Sequence, residues 1–583
     1  MVIFNCNQER LDKQKQYLKN EILNGNNKNY FKVIDLECGT GKSISAEEAL
    51  ATTIKKVLFV RERTEDCDNS AKRINDLAKQ IIAKSIHSKN TKAITEDLLD
   101  FPVIIITHEK YKELSINPKA QKLFSKGRSI LIIDEFLNMA KGNELFINKE
   151  FINSFETLLG NRTLRDLFAE LIAEIEDYLL LPREKNSFFN SKIDFGIVDK
   201  KANKLKTLIR SSLSKEYCKS INYTKNELCK KIDNIKNFYK QTCVVEGNTM
   251  YCINLDYQYW FLDNNIILDG SGNLNMAYKL NPELFHLQKQ AKVLNYSKWD
   301  FEIMKSNSTS SGKRRALNFY TVINNIINDL GVDNTLYIGN IDDEKSITAN
   351  YINHFGNVTG SNEYMDLQNI LIGHNPNIPF RMYILEYIYF SKIKYTNTNS
   401  WDGIVSGAND EKVYRFKEKQ FEEYRQCRNA NEIYQAIKRI NRNMSKESKV
   451  LILNNDIKMI DRIMKMFKNT TVTYTDSEVE YEKTKMDEYN QIRKESSYAM
   501  KFIQVCKDIQ SLQLTDLQHQ KKNRKGEVEW QFGYYSKKKL CEYIKVSPKH
   551  FSQLVLNNVE VLNYFKRHNI KPKGQIIDFS DVI

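Results

Sequence analysis

Short, unbroken apolar runs alternate with helix-spaced stretches along much of this 583-residue chain. FKVIDLE (31–37) has the length of a buried strand and ends at glycines; ISAEEALATTIKK (44–56) then takes up helical spacing. VLFV (57–60), VIIIT (103–107) and SILIID (129–134) predict three further buried strands, with a charged helix after the first of them. β-rich runs separated by helical segments predict a parallel sheet with helices on both faces. Ahead of them, QERLDKQKQYLKNEIL (8–23) reads as a polar helix.

The texture changes at about 143. ETLLGNRTLRDLFAELIAEIEDYLLL (156–181) and the basic stretch 201–241 are helical in spacing, so 143–262 is expected to be a helical insertion. NNIILDGSG (264–272) returns to a strand that ends in glycines. KSNSTSSGKRRA (305–316) is small, polar and basic, the composition of a linker. Beyond it NTLYIGN, HFGNVTGSN (354–362), NILIG and KVLILNN are strand candidates, with a helix at EIYQAIKRINRN (432–443). The expected boundaries are thus 1–142 with 263–304 for a first α/β lobe, 143–262 for its insertion, and 305–317 for the linker. A second α/β lobe over 318–475 and a helical C-terminal domain over 476–583 complete the chain. That last domain holds a basic loop, QKKNRKGE (520–527), and two short helices around a turn in SKKKLCEYIKVSPKHFSQLVLN.

Charge narrows the partners. Lys and Arg number 88 against 73 Asp and Glu, a net +15, which favours a polyanion and nucleic acid first. Biased coding toward Lys and Asn is the plainer source of the same surplus. The ten cysteines form no CxxC pair, which argues against a disulfide framework or a structural zinc and for buried thiols in a reducing compartment. MVIFNCNQER does not lead into a signal-type apolar run, and no stretch has the roughly 18 apolar residues of a membrane span. A cytoplasmic protein without a membrane partner is expected.

DLECGTGKSISAEEAL (35–50) is the first candidate for chemistry. A phosphate cradle needs glycines so that backbone N–H groups can converge on an anion, a helix N-terminus behind them, a Lys for the terminal phosphates and a hydroxyl for Mg²⁺. Gly39, Thr40, Gly41, Lys42 and Ser43 supply these parts in order, between a strand and a helix. The full Walker A pattern would put Gly at 36, where this chain has Leu36; the alternative is a glycine-rich turn with a chance Lys-Ser. Downstream, SILIIDEF places Asp134 and Glu135 just past a buried strand, where charge is otherwise costly. Asp134 suits the Mg²⁺ shell with Ser43, and Glu135 suits the water-activating base. An Asp-Glu helix cap is the structural alternative.

In this order the motifs resemble those of superfamily 2 helicase-type ATPases of the DEAD/DEAH-like kind, whose first loop usually reads xxxGxGK(S/T). DEFL resembles the DExx box, VLFVRER (57–63) motif Ia, and IITHEKY (105–111) the Thr-bearing motif that touches the nucleic-acid backbone. ILDGSG (267–272) stands where motif III usually reads Ser-Ala-Thr, and GNVTGSNEYMD (356–366) resembles motif V. QAIKRINR (435–442) resembles motif VI, QxxGRxxR, with Lys438 in place of Gly. The resemblance implies an α/β fold of two RecA-like parallel-sheet lobes, the first bearing a helical insertion, with a small helical C-terminal domain. It implies ATP and Mg²⁺ as cofactors, Glu135, Gln435, Arg439 and Arg442 as catalytic groups with Arg442 the first choice for the arginine finger, and Arg61, Thr107 and Thr359 as nucleic-acid contacts. The insertion lies where DinG-like and XPD-like helicases carry an arch. Those proteins bind an iron–sulfur cluster through four cysteines; only Cys38 and Cys67 lie between the phosphate loop and Asp134 here, so no cluster is expected.

Two further stretches keep two readings each. The basic run 201–241, with Tyr217, Tyr223, Phe238 and Tyr239, is either a guide for a single strand or a bundle with a solvated Lys face. Lys537, Lys538 and Lys539, ahead of Val546, Ser547 and Pro548, belong either to a helix-turn-helix for duplex DNA or to a structural helix pair. The function implied is an ATP-dependent helicase or translocase acting on nucleic acid, DNA in preference to RNA. The alternative is a non-motor DNA-binding replication or defence protein with a degraded nucleotide switch.

Overall fold

Strands that are apolar on both faces are stable only in the middle of a layered sheet. In the computed structural model β1 (Phe31–Asp35), β2 (Lys56–Arg61), β3 (Ala83–Ile86), β4 (Val103–Thr107) and β5 (Arg128–Asp134) take that place. The structure describes residues 4–90, 95–180, 186–357, 363–395, 401, 403–406, 413–482, 498–522 and 525–581. An insertion then carries β6 (Glu144–Asn148), β7 (Asn186–Phe189), β8 (Cys243–Glu246) and β9 (Thr249–Ile253), after which β10 (Asn264–Leu268) and β11 (Phe285–Lys289) rejoin the first sheet. That sheet is parallel, in the order β11-β1-β10-β5-β2-β4-β3. Val57 to Val60 and Ile130 to Ile133 have no exposed surface; each such side chain contributes about 1.5–3 kcal/mol over leaving it in water. Register sets Ile34, Leu268 and Asp134 in one row, so the loops after β1, β10 and β5 open side by side.

The insertion is not purely helical. Helices Arg162–Leu180, Phe195–Ser212 and Lys225–Lys240 pack on an antiparallel sheet ordered β6-β9-β8-β7. The two residues between Glu246 and Thr249 include Gly247 at φ +60°, a hairpin turn with a Gly-Asn signal.

The second lobe is built from β12 (Trp299–Lys305), β13 (Thr335–Gly339), β14 (Tyr351–His354), β15 (Asn369–Ile372), the hairpin β16 (Gly403–Ser406) and β17 (Val413–Phe416), β18 (Ser448–Leu453) and β19 (Thr471–Asp476). Its parallel sheet runs β14-β13-β15-β18-β12-β19. Two expected boundaries move. β12 pairs with β18 and β19, so Trp299–Lys305 belongs to the second lobe and not to a first lobe ending at 304. The stretch 305–317 is not a linker: Ser310–Arg315 is a helix whose Lys313 is buried in an ion pair with Asp343. Of HFGNVTGSN, His354 ends β14 and 355–357 turn; Thr359 lies outside the described residues.

Residues up to Tyr481 form one compact unit and those from Glu482 a second. The second unit is mixed rather than helical. Helices Tyr498–Gln510, Lys537–Tyr543 and Val559–Arg567 accompany β20 (Gln518–Lys522), β21 (Val528–Ser536), β22 (Lys571–Lys573) and β23 (Ile576–Asp578), paired antiparallel as β20-β21-β23-β22. Ser547 caps a short helix, Pro548–His550, that runs on as a single wide turn, Phe551–Val555. Among the described residues no helix is long and apolar enough to cross a membrane.

Candidate nucleotide site

β1 leads into the loop 36–41. Leu36 is buried in the core beside β1, a place that needs a large apolar side chain and not glycine. Gly39 and Gly41 stand at φ +86° and +84°, which side chains rarely tolerate. Thr40 closes the loop by donating from Oγ1 to the Glu37 carbonyl at 2.6 Å. Gly41 caps the helix Lys42–Leu50 with no side-chain hydrogen bond, so the first N–H groups of that helix are left for an anion.

Lys42 is buried at the helix start. Burial works against its charge, but Cys38, Glu135, Asp134 and Asp269 around it outweigh that and raise its pKa. Ser43 Oγ donates to Asp134 Oδ2 at 2.8 Å. The Asp134 carbonyl lies 2.9 Å from His108 Nε2, and burial pushes His108 down to about 4, so its ring is neutral at pH 7. Glu135 is held at φ +66° with its N–H on the Leu268 carbonyl, 2.9 Å away. Burial raises Glu135 to about 7; Lys42 opposes the shift, Asp134 and Asp269 add to it. Asp134 Oδ1 and Glu135 Oε2 are buried without a hydrogen-bond partner among the described residues. Two orphaned carboxylate oxygens facing a buried Lys, beside an open helix N-terminus, fit a divalent cation and a phosphate chain.

The second lobe closes this cleft, whose volume is about 380 Å³. Gln435 Nε2 reaches across to Ser271 Oγ at 3.0 Å. Arg439 and Arg442 line the same cleft as Lys42, Asp134 and Glu135. They do so from a turn and not from a helix: the helix Lys419–Ile437 stops before them, and Asn441 at φ +39° redirects the chain. Burial and the neighbouring Arg439 lower Arg442 to about 10. Lys438 is buried with Nζ 4.7 Å from the Tyr296 ring centroid and 5.4 Å from that of Trp299.

Solved structures with a related chain path include an XPD helicase (13% identity, TM-score 0.44, covering 80% of this chain and 99% of that one). Others are Xpd4 of S. tokodaii (11%, 0.46, covering 80% and 100%) and Dbp5 of S. cerevisiae bound to RNA and ADP BeF3 (11%, 0.35, covering 83% and 93%). No protein-family model and no curated protein matches the chain. The strand orders, and the loops after β1 and β5 facing a second parallel-sheet lobe, decide the architecture. This is the expected α/β architecture of two RecA-like parallel-sheet lobes.

Within that fold several expected contacts move. Arg61 ends β2, next to β5 in the sheet, and its guanidinium meets Asp134 at 2.9 Å, with Asp66 and Glu47 within 4.0 Å. It is an internal partner of the acid pair. Thr107 caps the helix His108–Ser115, accepting the Lys110 N–H at 3.2 Å. Phe238 and Tyr239 are buried in the insertion core, so neither can stack on a base. Lys537, Lys538 and Lys539 open the helix Lys537–Tyr543, and Lys539 Nζ is tied to the Asp516 and Gln518 carbonyls. Two site residues have no counterpart among the expected ones. Asp269, fully buried, accepts from Ser271 and Tyr278 and faces Lys42. Gly270 lies so close to the loop 36–41 that a β-carbon there would fall 2.5 Å from Cys38 Sγ. Glycine at 270, within the stretch that departs from Ser-Ala-Thr, is thus a packing requirement.

Proposed function

We propose that this chain is an ATP-dependent helicase or translocase acting on nucleic acid. The observation that carries the reading is one cleft lined by Lys42, Ser43, Asp134 and Glu135 from one lobe and Gln435, Arg439 and Arg442 from the other. Lys42 and the N–H groups behind Gly41 would hold the phosphates, and Ser43 and Asp134 the Mg²⁺. Bound there, Mg²⁺ neutralises phosphate charge. Glu135 would take the proton of the attacking water, and Arg442, with Arg439 beside it, would stabilise charge developing on the terminal phosphate. Since these groups come from both lobes, nucleotide favours the closed arrangement and its loss the open one, the cycle that moves a strand. The +15 net charge and the basic second unit support a nucleic-acid track; DNA rather than RNA is the track proposed.

Steady-state ATP turnover with and without single-stranded DNA, duplex DNA and RNA tests the proposal. Stimulation by one polymer, fading with salt, is expected. Lys42→Ala should abolish turnover in a folded protein, and Arg442→Ala should retain ATP binding while hydrolysing slowly. One observation favours the non-motor alternative: the Arg61–Asp134 ion pair sets a guanidinium where the acid would meet a metal. Absence of turnover with every polymer would decide for it.

A further inference from the structure

β21 is bent, and the bend lifts a ribbon off the second unit. Its last residues pair with β23, whereas its first pair with β20, and the register slips between Gln518 and His519. Gly533 stands at the bend at φ +81°, and a β-carbon there would fall 2.8 Å from Ser580 Cα, so only glycine fits. On the ribbon and at its bend Val528, Trp530 and Phe532 are 51, 52 and 61% exposed. The other tryptophans, Trp260, Trp299 and Trp401, are 9, 1 and 3% exposed. Large aromatic faces left in water beside one another mark a binding surface rather than a core.

Charge identifies the occupant. Residues 518–545 contain eight Lys and Arg against three Asp and Glu. Lys539 Nζ sits 4.8 Å from the Trp530 ring centroid, braced by two backbone carbonyls. Lys521, Lys522 and Lys538 are exposed and make no ion pair among the described residues. Cations around flat aromatic faces suit a polyanion that offers π-surfaces. In a duplex those base faces are already stacked on one another; in a single strand they are free. We propose that this ribbon binds single-stranded nucleic acid, with bases stacking on Trp530 and Phe532 and the surrounding lysines meeting phosphates. The site lies on the second unit alone and requires no ATP hydrolysis.

The test is a titration of the full-length protein, without nucleotide, with an oligo(dT) probe, followed by tryptophan fluorescence. Because the other three indoles are buried, base stacking reports through Trp530. Quenching of a solvent-exposed emission is expected, and it should be absent in Trp530→Phe. The Trp530→Ala/Phe532→Ala variant should bind the probe about ten-fold more weakly or worse, with an unchanged unfolding midpoint. Wild-type affinity in that variant, or saturation of the protein without quenching, would overturn the proposal. So would a stronger response to a duplex hairpin than to the single strand. A Trp530 emission already blue-shifted and shielded from acrylamide would overturn it as well, because another part of the chain or a second copy would then own the face.

Discussion

Gly270→Ala isolates the contact between the loop after β10 and the proposed phosphate loop, 36–41. The backbone at Gly270 is not in the left-handed region, so the cost of a methyl there is steric alone. That methyl would lie 2.5 Å from Cys38 Sγ, 2.7 Å from Lys42 Nζ and 2.9 Å from Cys38 N. Against an ordinary separation of about 3.5 Å, the overlap with the backbone nitrogen is about 0.6 Å. The Lys42 amine can swing aside, but it then leaves Asp269 and Glu135. Cys38 N can yield only by carrying Gly39 and the rest of the loop with it. Overpacking of this kind costs about 1–3 kcal/mol. A 1 Å misplacement at a reacting centre costs on the order of 100-fold, so a shift of about half that predicts a loss of about ten-fold in kcat/KM for ATP. Steady-state turnover, a nucleotide-binding titration and thermal unfolding read the three consequences. A Cys38→Ala/Gly270→Ala protein removes the nearest atom and leaves the backbone contact, so partial and non-additive recovery is expected. Wild-type affinity and turnover in Gly270→Ala would refute the close packing of Gly270 on Cys38.

Three other substitutions bear on the same cleft. Arg61→Ala breaks a buried ion pair shared with Asp134, Asp66 and Glu47 and should cost about 3–5 kcal/mol in unfolding, while nucleotide-free affinity for nucleic acid stays unchanged; intact stability with lost nucleic-acid binding would return Arg61 to the track. Burial holds Glu135 near 7 against an ordinary 4.5, so the native state keeps a proton that the unfolded chain has released between those values, and stability falls as pH rises through that window. Glu135→Gln should therefore unfold at higher temperature than wild type at pH 8, with the gap closing by about pH 4.5; a constant gap would sink that assignment. Burial lowers Lys438 from 10.5 to about 8, so between these values the unfolded chain binds the extra proton and wild-type stability rises with pH. Lys438→Met should accordingly be the more stable protein at pH 7 and lose that advantage by about pH 10.5, as thermal unfolding at both pH values would register.

The chain announces what depends on local pattern and hides what depends on strand order. β1, β5 and β10 are legible because a strand buried on both faces has few polar residues to interrupt it, and the loops that follow carry their glycines and acids in plain view. The pairing of Arg61 is hidden because nothing in VLFVRER reveals that β2 lies beside β5, the neighbour that turns its guanidinium onto Asp134. Lobe membership fails for the same reason: WDFEIMK joins the second sheet through β18, far along the chain. Other signals were present and outweighed. Thr107 ahead of a charged helical stretch is a cap pattern. Asn441 inside EIYQAIKRINRN is a residue that accepts positive φ, and the helix ends ahead of it. Gly-Asn between CVVE and TMYCI marks a hairpin inside a region whose flanks read as helix.

The packing also ties the proposed phosphate loop to the crossing between lobes. Glu37, two residues before Gly39, accepts the Tyr296 hydroxyl at 2.7 Å through Oε1 and the N–H groups of Val293 and Leu294 at 3.0 and 3.1 Å through Oε2. Those three residues belong to the segment that leaves β11 and enters β12. Tyr296 is fully buried and packs edge-on against Trp299, the first residue of β12. On the other side of the loop, the carbonyl of Arg442 lies 3.7 Å from where a Gly39 β-carbon would stand. A loop held by one carboxylate to the inter-lobe segment and flanked by a turn of the second lobe cannot shift without moving one or the other. Buried, fully hydrogen-bonded contacts of this kind yield by switching between arrangements more readily than by stretching. Gln435 on Ser271 is a third tie of the same sort, so the two lobes meet the phosphate loop and the strand beside it through hydrogen bonds that a change of angle between the lobes has to break or remake.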